Sequence, residues 1–333
     1  MSTRLGRSFR RAVRRARQPV LRRIRPHGLI LMYHRIAQSS HGSVRLCVTP
    51  AHFREHLEVL SRRATVVPLA QLSRHLQTSR VPRLAVAVTF DDGYVDNFET
   101  GLPLLQQYDT PATVFIATDW IGRHREFWWD LLARAILEPA RIPSQIEVHI
   151  GPEAFRWAAR HEEDRTSAEA RNALLAALWG QLQTATEPQR EAALDRLCAQ
   201  LDVMRQADPA ARPMNEEELR RLHASGLVEI GAHTRSHCPL PKLSHEQQRQ
   251  EIFGSRSRCQ ELLGAAPCSF SYPYGEVDAS SRELVAQAGF ERAVESRLDV
   301  LWQTDDPLRM PRAAVADCDG AQFERRLQSG WLT

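Results

Sequence analysis

Leu84-Ala85-Val86-Ala87-Val88-Thr89-Phe90 runs without a charge and stops abruptly at Asp91-Asp92-Gly93-Tyr94. A run this short and this apolar reads as a strand covered on both faces, the kind that fills a parallel sheet. Two adjacent carboxylates at its end repel unless a cation or a proton intervenes, and the ends of barrel strands are where reactive groups gather. A metal ion resolves the repulsion: one carboxylate ligates it and the other stays free as a base. Gly93 permits the tight turn that lets both point into one site. Taken alone, Asp-Asp-Gly is also an ordinary turn sequence, so the rest of the chain decides.

Outward from this stretch, short apolar runs alternate with helical patterns. Residues 28–36 (GLILMYHRI) read as a buried strand with a polar end at His34, and 50–62 and 69–77 as helices. A helix follows at about 96–108 and a strand at 112–117. The rhythm returns at 227–231, with a helix at 244–263, a strand at 268–272, a helix at 279–288 and a strand at 290–294. Such alternation argues for a parallel β/α architecture. Between the two halves, residues 126–225 are rich in Ala, Leu, Glu and Arg at helical spacing, with 145–150 (QIEVHI) the main strand candidate. This segment reads as a mainly helical insertion. Trp128 and Trp129, near its start, suit either a sugar-stacking surface or an anchor for the helix. The stretch after 294 reads as irregular, then helical near 320–328.

The 333 residues suffice for one large α/β barrel with an insertion. The net charge of +4 is uneven: residues 1–25 hold ten arginines and no acid, which leaves −6 for the remainder. An acidic body excludes a uniform nucleic-acid-binding surface, and the arm carries only Phe9 as an aromatic, so no nucleic-acid partner is expected. Within the arm Leu5, Phe9, Val13, Ala16, Val20 and Ile24 fall at three- and four-residue steps, broken at Pro19. The pattern fits a short amphipathic helix on an anionic membrane surface; the alternative is a solvated tail. The six cysteines form no CxxC pair, so neither a cysteine zinc site nor a disulfide framework is expected. With no long apolar span and no signal-peptide core, the expected location is cytoplasmic, with peripheral membrane association through the arm. The sequence carries no signal for oligomeric state.

Two further segments carry chemistry. Gly231-Ala232-His233-Thr234-Arg235-Ser236-His237 places two histidines four apart directly after a strand, which suits ligation by imidazole. One aspartate and two histidines make three protein ligands and leave positions open for water and substrate, the catalytic form of a metal site. Ser271-Tyr272-Pro273-Tyr274-Gly275 ends another strand, where a backbone N–H near Tyr274 can face a developing oxyanion.

In this order, TFDDGY at 89–94, HTRSH at 233–237 and SYPYG at 271–275 resemble the polysaccharide deacetylase family, carbohydrate esterase family 4, over residues 28–124 and 226–315. The resemblance implies a distorted (β/α) barrel of about seven strands within residues 26–333, interrupted by the helical insertion at about 126–225. It implies Asp91 as general base, Asp92, His233 and His237 as metal ligands, and the Tyr274 amide as oxyanion donor. The metal implied is divalent, zinc as first choice with cobalt, nickel or manganese as alternatives. The reaction implied is removal of N-acetyl groups from an amino-sugar glycan; the alternatives are an O-acetyl carbohydrate esterase and an inactive carbohydrate-binding protein.

Two departures from the family pattern carry expectations of their own. The arginine that usually opens the third motif is replaced by Ser271, and Arg312 is the candidate to pair with Asp91 instead. No histidine follows His245, so the family's late catalytic histidine is missing. A subgroup resembling deacetylases of bacterial poly-N-acetylglucosamine carries an early Met-Tyr-His segment. Met32-Tyr33-His34 matches it and makes His34 the expected general acid.

Overall fold

In the computed structural model, residues 27–38, 46–78, 82, 84–205 and 209–329 are described. The chain runs β1 (His27–Tyr33), α1 (Pro50–Arg63), α2 (Leu69–Gln77), β2 (Ala85–Phe90), α3 (Leu102–Gln107) and β3 (Ala112–Ile116). The insertion follows with α4 (Trp128–Leu137), β4 (Gln145–Ile150), β5 (Glu153–Ala158), α5 (Ala168–Leu182) and α6 (Glu187–Leu201). Then come α7 (Glu216–Ala224), β6 (Val228–Ala232), α8 (His245–Leu263), β7 (Ser269–Ser271), α9 (Ala279–Gln287), β8 (Arg292–Glu295) and α10 (Gly320–Ser329).

Local chemistry sets several helix boundaries. Ser244 and Gln247 form a capping box at the start of α8, and Gly264 ends that helix at φ 77°. Asn215 and Glu218 do the same at the start of α7. The expected helix at 96–108 is real, but its first turn, Asn97–Gly101, is wound as a π-helix.

The sheet is parallel from β1 through β2, β3, β6, β7 to β8. One short stretch then brings the ring back to its start. Met310–Pro311 pairs with β8, and Ala313–Ala314 pairs with β1. Arg312 is the residue at this handover. Six strands plus the seam make the distorted barrel of about seven strands that the family pattern implies. The stretch expected to be irregular therefore closes the barrel, and Leu301–Trp302 adds an antiparallel pairing to β1.

Side-chain alternation sorts the strands into two faces. Leu29, Leu31, Tyr33, Val86, Val88 and Phe90 pack with Phe53 and Leu57 of α1 and with the other outer helices. Ile30, Ala85, Ala87, Phe115, Val294 and Met310 form a separate inner cluster. Asp91 continues the inner series of Ala85, Ala87 and Thr89, so strand parity alone aims it into the barrel.

The insertion has its own core, in which Trp128 and Leu132 of α4 meet Val148 of β4, Leu178 of α5 and Leu197 of α6. Two features differ from the sequence reading. Glu153–Ala158 pairs with β4 as a hairpin; the half-buried Phe155 and Trp157, after the Gly151-Pro152 turn, are the period-two signal for it. The helix Glu216–Ala224 lies within the range first assigned to the insertion, yet its Leu219 and Leu222 pack in the barrel core. All six cysteines are free, and no helix among the described residues is long and apolar enough to cross a membrane.

Candidate active site

Three strand ends converge. Beyond β2, the Asp91 amide donates to the Tyr33 carbonyl (3.0 Å), and the chain turns through positive φ at Asp92 (75°) and Gly93 (79°). A Cβ on Gly93 would lie 2.9 Å from the Ile116 side chain, so glycine is needed for space as well as conformation. Beyond β6, Thr234 and His237 also take positive φ (62° and 60°). Glu251 of α8 ties that loop down by accepting from the amides of Arg235 and Ser236, each at 2.9 Å. Beyond β7, Tyr274 sits at φ 59°. Strain of this kind in non-glycine residues clusters where a site is over-determined by its surroundings.

Asp91, Asp92, His233 and Arg312 are all at most 3% exposed, and His237 is 8% exposed. The Arg312 guanidinium grips Asp91 with both arms, Nη1 to Oδ1 at 2.7 Å and Nη2 to Oδ2 at 2.6 Å. It also donates to Thr89 Oγ1 (3.2 Å) and to Ser271 Oγ (2.9 Å). Burial on its own would raise the Asp91 carboxyl, but the Arg312 charge, aided by His233, the Arg312 hydrogen bonds and His34, holds it well below the usual carboxylate range. Asp91 is therefore an oriented carboxylate. The serine standing at the family's arginine position helps seat Arg312, which arrives from the seam.

Asp92, His233 and His237 each offer a ligand atom, all within 4.8 Å of one another. Asp92 Oδ1 lies 3.2 Å from His237 Nε2 and 3.7 Å from His233 Nε2, yet it is buried with no hydrogen-bond partner. His233 Nδ1 donates to the Ser271 carbonyl at 2.7 Å, which fixes the tautomer and leaves Nε2 with a bare lone pair. Burial, against the pull of Asp91, lowers His233 to about 4 and keeps it neutral. An orphaned carboxylate oxygen facing two imidazoles fits a divalent cation, and mixed oxygen and nitrogen donors suit zinc and its neighbours.

The Tyr274 ring packs edge-on against the His237 ring at 4.7 Å, and its hydroxyl is buried without a partner. His34 follows β1 half-buried, its carbonyl fixed by Asn97 Nδ2 at 2.8 Å. It is close enough for its charge to help lower both Asp91 and Asp92. Trp128 and Trp129 are 1% and 3% exposed, so they anchor α4 and offer no sugar-stacking surface. The sequence reading missed the buried chain behind them. Trp129 Nε1 donates to the Tyr94 hydroxyl (2.7 Å), which donates to Asp130 (2.8 Å). Arg35, paired with Asp96 at 2.9 Å, lies over the Tyr94 ring at 4.9 Å. Burial pushes Asp130 up to about 7, only partly offset by Arg35. The Tyr94 of TFDDGY and the Trp-Trp-Asp of α4 were both visible in the sequence; their pairing was not.

The sequence profile of the polysaccharide deacetylase family matches residues 78–149 and 202–293. The chain belongs to that family. It is 36% identical over 122 residues to the Bacillus subtilis (strain 168) protein named "Putative polysaccharide deacetylase YxkH", a match spanning 36% of this chain and 41% of that protein. Among solved structures, Streptococcus pyogenes deacetylase PplD in complex with acetate superposes with a TM-score of 0.59 at 15% identity, covering 90% of this chain and 98% of that one. IcaB from Ammonifex degensii superposes with a TM-score of 0.59 at 18% identity, covering 91% and 97%. These two likenesses are of fold.

Proposed function

We propose that the protein is a metal-dependent hydrolase that removes N-acetyl groups from amino-sugar residues of a polysaccharide or glycan precursor. The observation that carries this reading is the buried Arg312–Asp91 pair beside the Asp92, His233 and His237 cluster. A divalent cation held by those three residues, zinc as first choice, would polarise the acetyl carbonyl and acidify water.

The chain's own residues supply the rest. Asp91, kept ionised and aimed by Arg312, accepts a proton from the attacking water as its oxygen bonds to the acetyl carbon. The carbonyl oxygen gains the electron pair, and the Tyr274 amide donates to it. His34 delivers a proton to the sugar nitrogen as the C–N bond breaks, releasing acetate and an amine. An amine leaves poorly unless protonated, whereas an alkoxide from an O-acetyl ester leaves more readily. A dedicated acid at His34 therefore supports N-acetyl over O-acetyl substrates. The ionised and oriented Asp91 supports an enzyme over a purely carbohydrate-binding protein.

The test is acetate release from N-acetylglucosamine oligomers and from O-acetylated sugars by zinc- or cobalt-loaded protein. Release from the N-acetyl series, abolished by chelator and by Asp91→Asn, is expected; release from O-acetyl sugars alone overturns the substrate assignment. His34→Ala should lose most turnover while retaining metal, and retained activity removes His34 as the acid.

The basic arm lies outside the described residues. Its ten arginines without an acid support a peripheral contact with anionic membranes, where lipid-linked or growing glycans are made. Equal pelleting with anionic liposomes after deletion of residues 1–25 overturns that contact.

A further inference from the structure

The two histidines beside Asp92 are held in place by different means. His233 has the arrangement usual for a metal ligand: its far ring nitrogen donates to a buried carbonyl, that of Ser271, which fixes both tautomer and ring angle. His237 has no such bond. Its Nδ1 is buried without any hydrogen-bond partner. Its main chain is fixed, with the amide donating to Thr234 Oγ1 at 3.0 Å, but that does not set the ring angle.

Aromatic rings surround the imidazole instead. Trp129 lies 4.6 Å away, centroid to centroid, Tyr274 4.7 Å and His233 4.8 Å. Tyr274 and His233 belong to the strand-end motifs. Trp129 comes from the first turn of α4, in the insertion, and is itself tightly fixed. Its indole stacks on Phe127 at 4.5 Å with 12° between the planes, and its N–H bonds the Tyr94 hydroxyl, which bonds Asp130. Tyr94 lies two residues beyond Asp92 in the same turn, so Trp129 is tied to two of the three candidate ligands at once.

We propose that Trp129 is a positioning residue that orients the His237 imidazole for a metal ion, in place of the hydrogen bond that orients His233. The proposal rests on the metal-dependent reading above and adds a role for the insertion, which completes the setting of the metal ligands. The loss expected on removing the ring matches that of removing an outer-shell hydrogen bond, about 10- to 100-fold in metal affinity.

The experiment is cobalt(II) binding by competition titration, with the visible spectrum of the saturated protein as a second readout. It compares wild type, Trp129→Leu and Leu178→Ala. Leu178 of α5 is fully buried in the same insertion core but is not one of the rings around His237. Trp129→Leu should bind cobalt about 10- to 100-fold more weakly, with altered ligand-field bands at saturation. Leu178→Ala should lower the melting temperature yet keep both affinity and spectrum. Unchanged binding and bands in Trp129→Leu, or equal losses in both variants, overturn the proposal. If wild type binds no cobalt, the metal-dependent reading falls as well, so the two failures are told apart. Should Trp129→Leu not fold, Tyr94→Phe removes one oxygen and frees the indole; a cobalt affinity lowered a few-fold supports the role, and no change overturns it.

Discussion

Strand β2 of the barrel has six consecutive buried residues, whereas β4 of the insertion alternates exposed and buried. The first is a parallel strand covered on both faces; the second belongs to an antiparallel hairpin with one face in water. Charge follows the same division. In the barrel, Asp91 and Arg312 pair in the interior. In the insertion, pairs such as Arg156 with Glu147 lie on the surface, at 71% and 47% side-chain exposure. A barrel interior that accepts charge at its upper end becomes a reaction site, while an insertion that keeps its charges wet is built for packing. The exceptions are the Arg134–Glu126 pair, at 16% and 4% side-chain exposure, the buried Arg171 of α5, and the place where the insertion meets the site, at Trp129, Tyr94 and Asp130.

The largest contrast should come from Asp91, the proposed base. Asp91→Asn is expected to cut acetate release by about a thousandfold against wild type at saturating metal, and to lower the melting temperature as well, because it leaves the buried Arg312 charge without its carboxylate. Arg312→Ala should break both chemistry and stability, because it leaves a buried carboxylate unpaired. Denaturant melts should show a loss of about 3–5 kcal/mol, and near-normal turnover would rule out the orienting role of Arg312. Leu178→Ala, at a fully buried position of the insertion, should cost about 2–5 kcal/mol by the same melts but leave the turnover of the folded fraction unchanged.

A smaller effect separates the regions by pH. His56 of α1 is fully buried, donating to the Cys318 carbonyl at 2.7 Å and accepting from the Tyr33 hydroxyl at 3.3 Å. Burial pushes it down to about 4 against that Cys318 hydrogen bond. The unfolded imidazole takes up a proton near 6.5, so stability is full above that value and falls as the pH drops from there towards 4. Between pH 7 and pH 5 the loss from this group is about 2 kcal/mol, and His56→Gln should flatten that slope in urea midpoints. His149 and His161 of the insertion are exposed, so acid should loosen the barrel first. Least of all, Arg156→Ala should leave the melting temperature where it was, since exposed pairs contribute little.

Much of this was legible in the sequence because strand ends announce themselves. The LAVAVTF run gave β2 and put Asp91 and Asp92 at its end. His233 and His237 followed from their spacing after β6, and the absence of an arginine at Ser271 pointed to Arg312. The remainder depended on contacts that no local pattern encodes. Met310–Ala314 looked irregular because two-residue strands on either side of a buried arginine have no periodicity to read. The strand Glu153–Ala158 shows only half-buried aromatics, a weak signal beside the helical stretches around it. The aromatic setting of His237 joins residues more than a hundred positions apart, which composition and spacing cannot bring together.

The seam that carries Arg312 has a consequence for the timing of synthesis. Asp91 and its partner are 221 positions apart, and chains fold from the N-terminus as they emerge from the ribosome. A nascent chain can thus complete β1 through β8, with both histidines and the neighbouring carboxylates in place, and still lack the residue that grips Asp91. The grip on Asp91 is acquired only once the seam is translated, so chains truncated or stalled before Arg312 lack it.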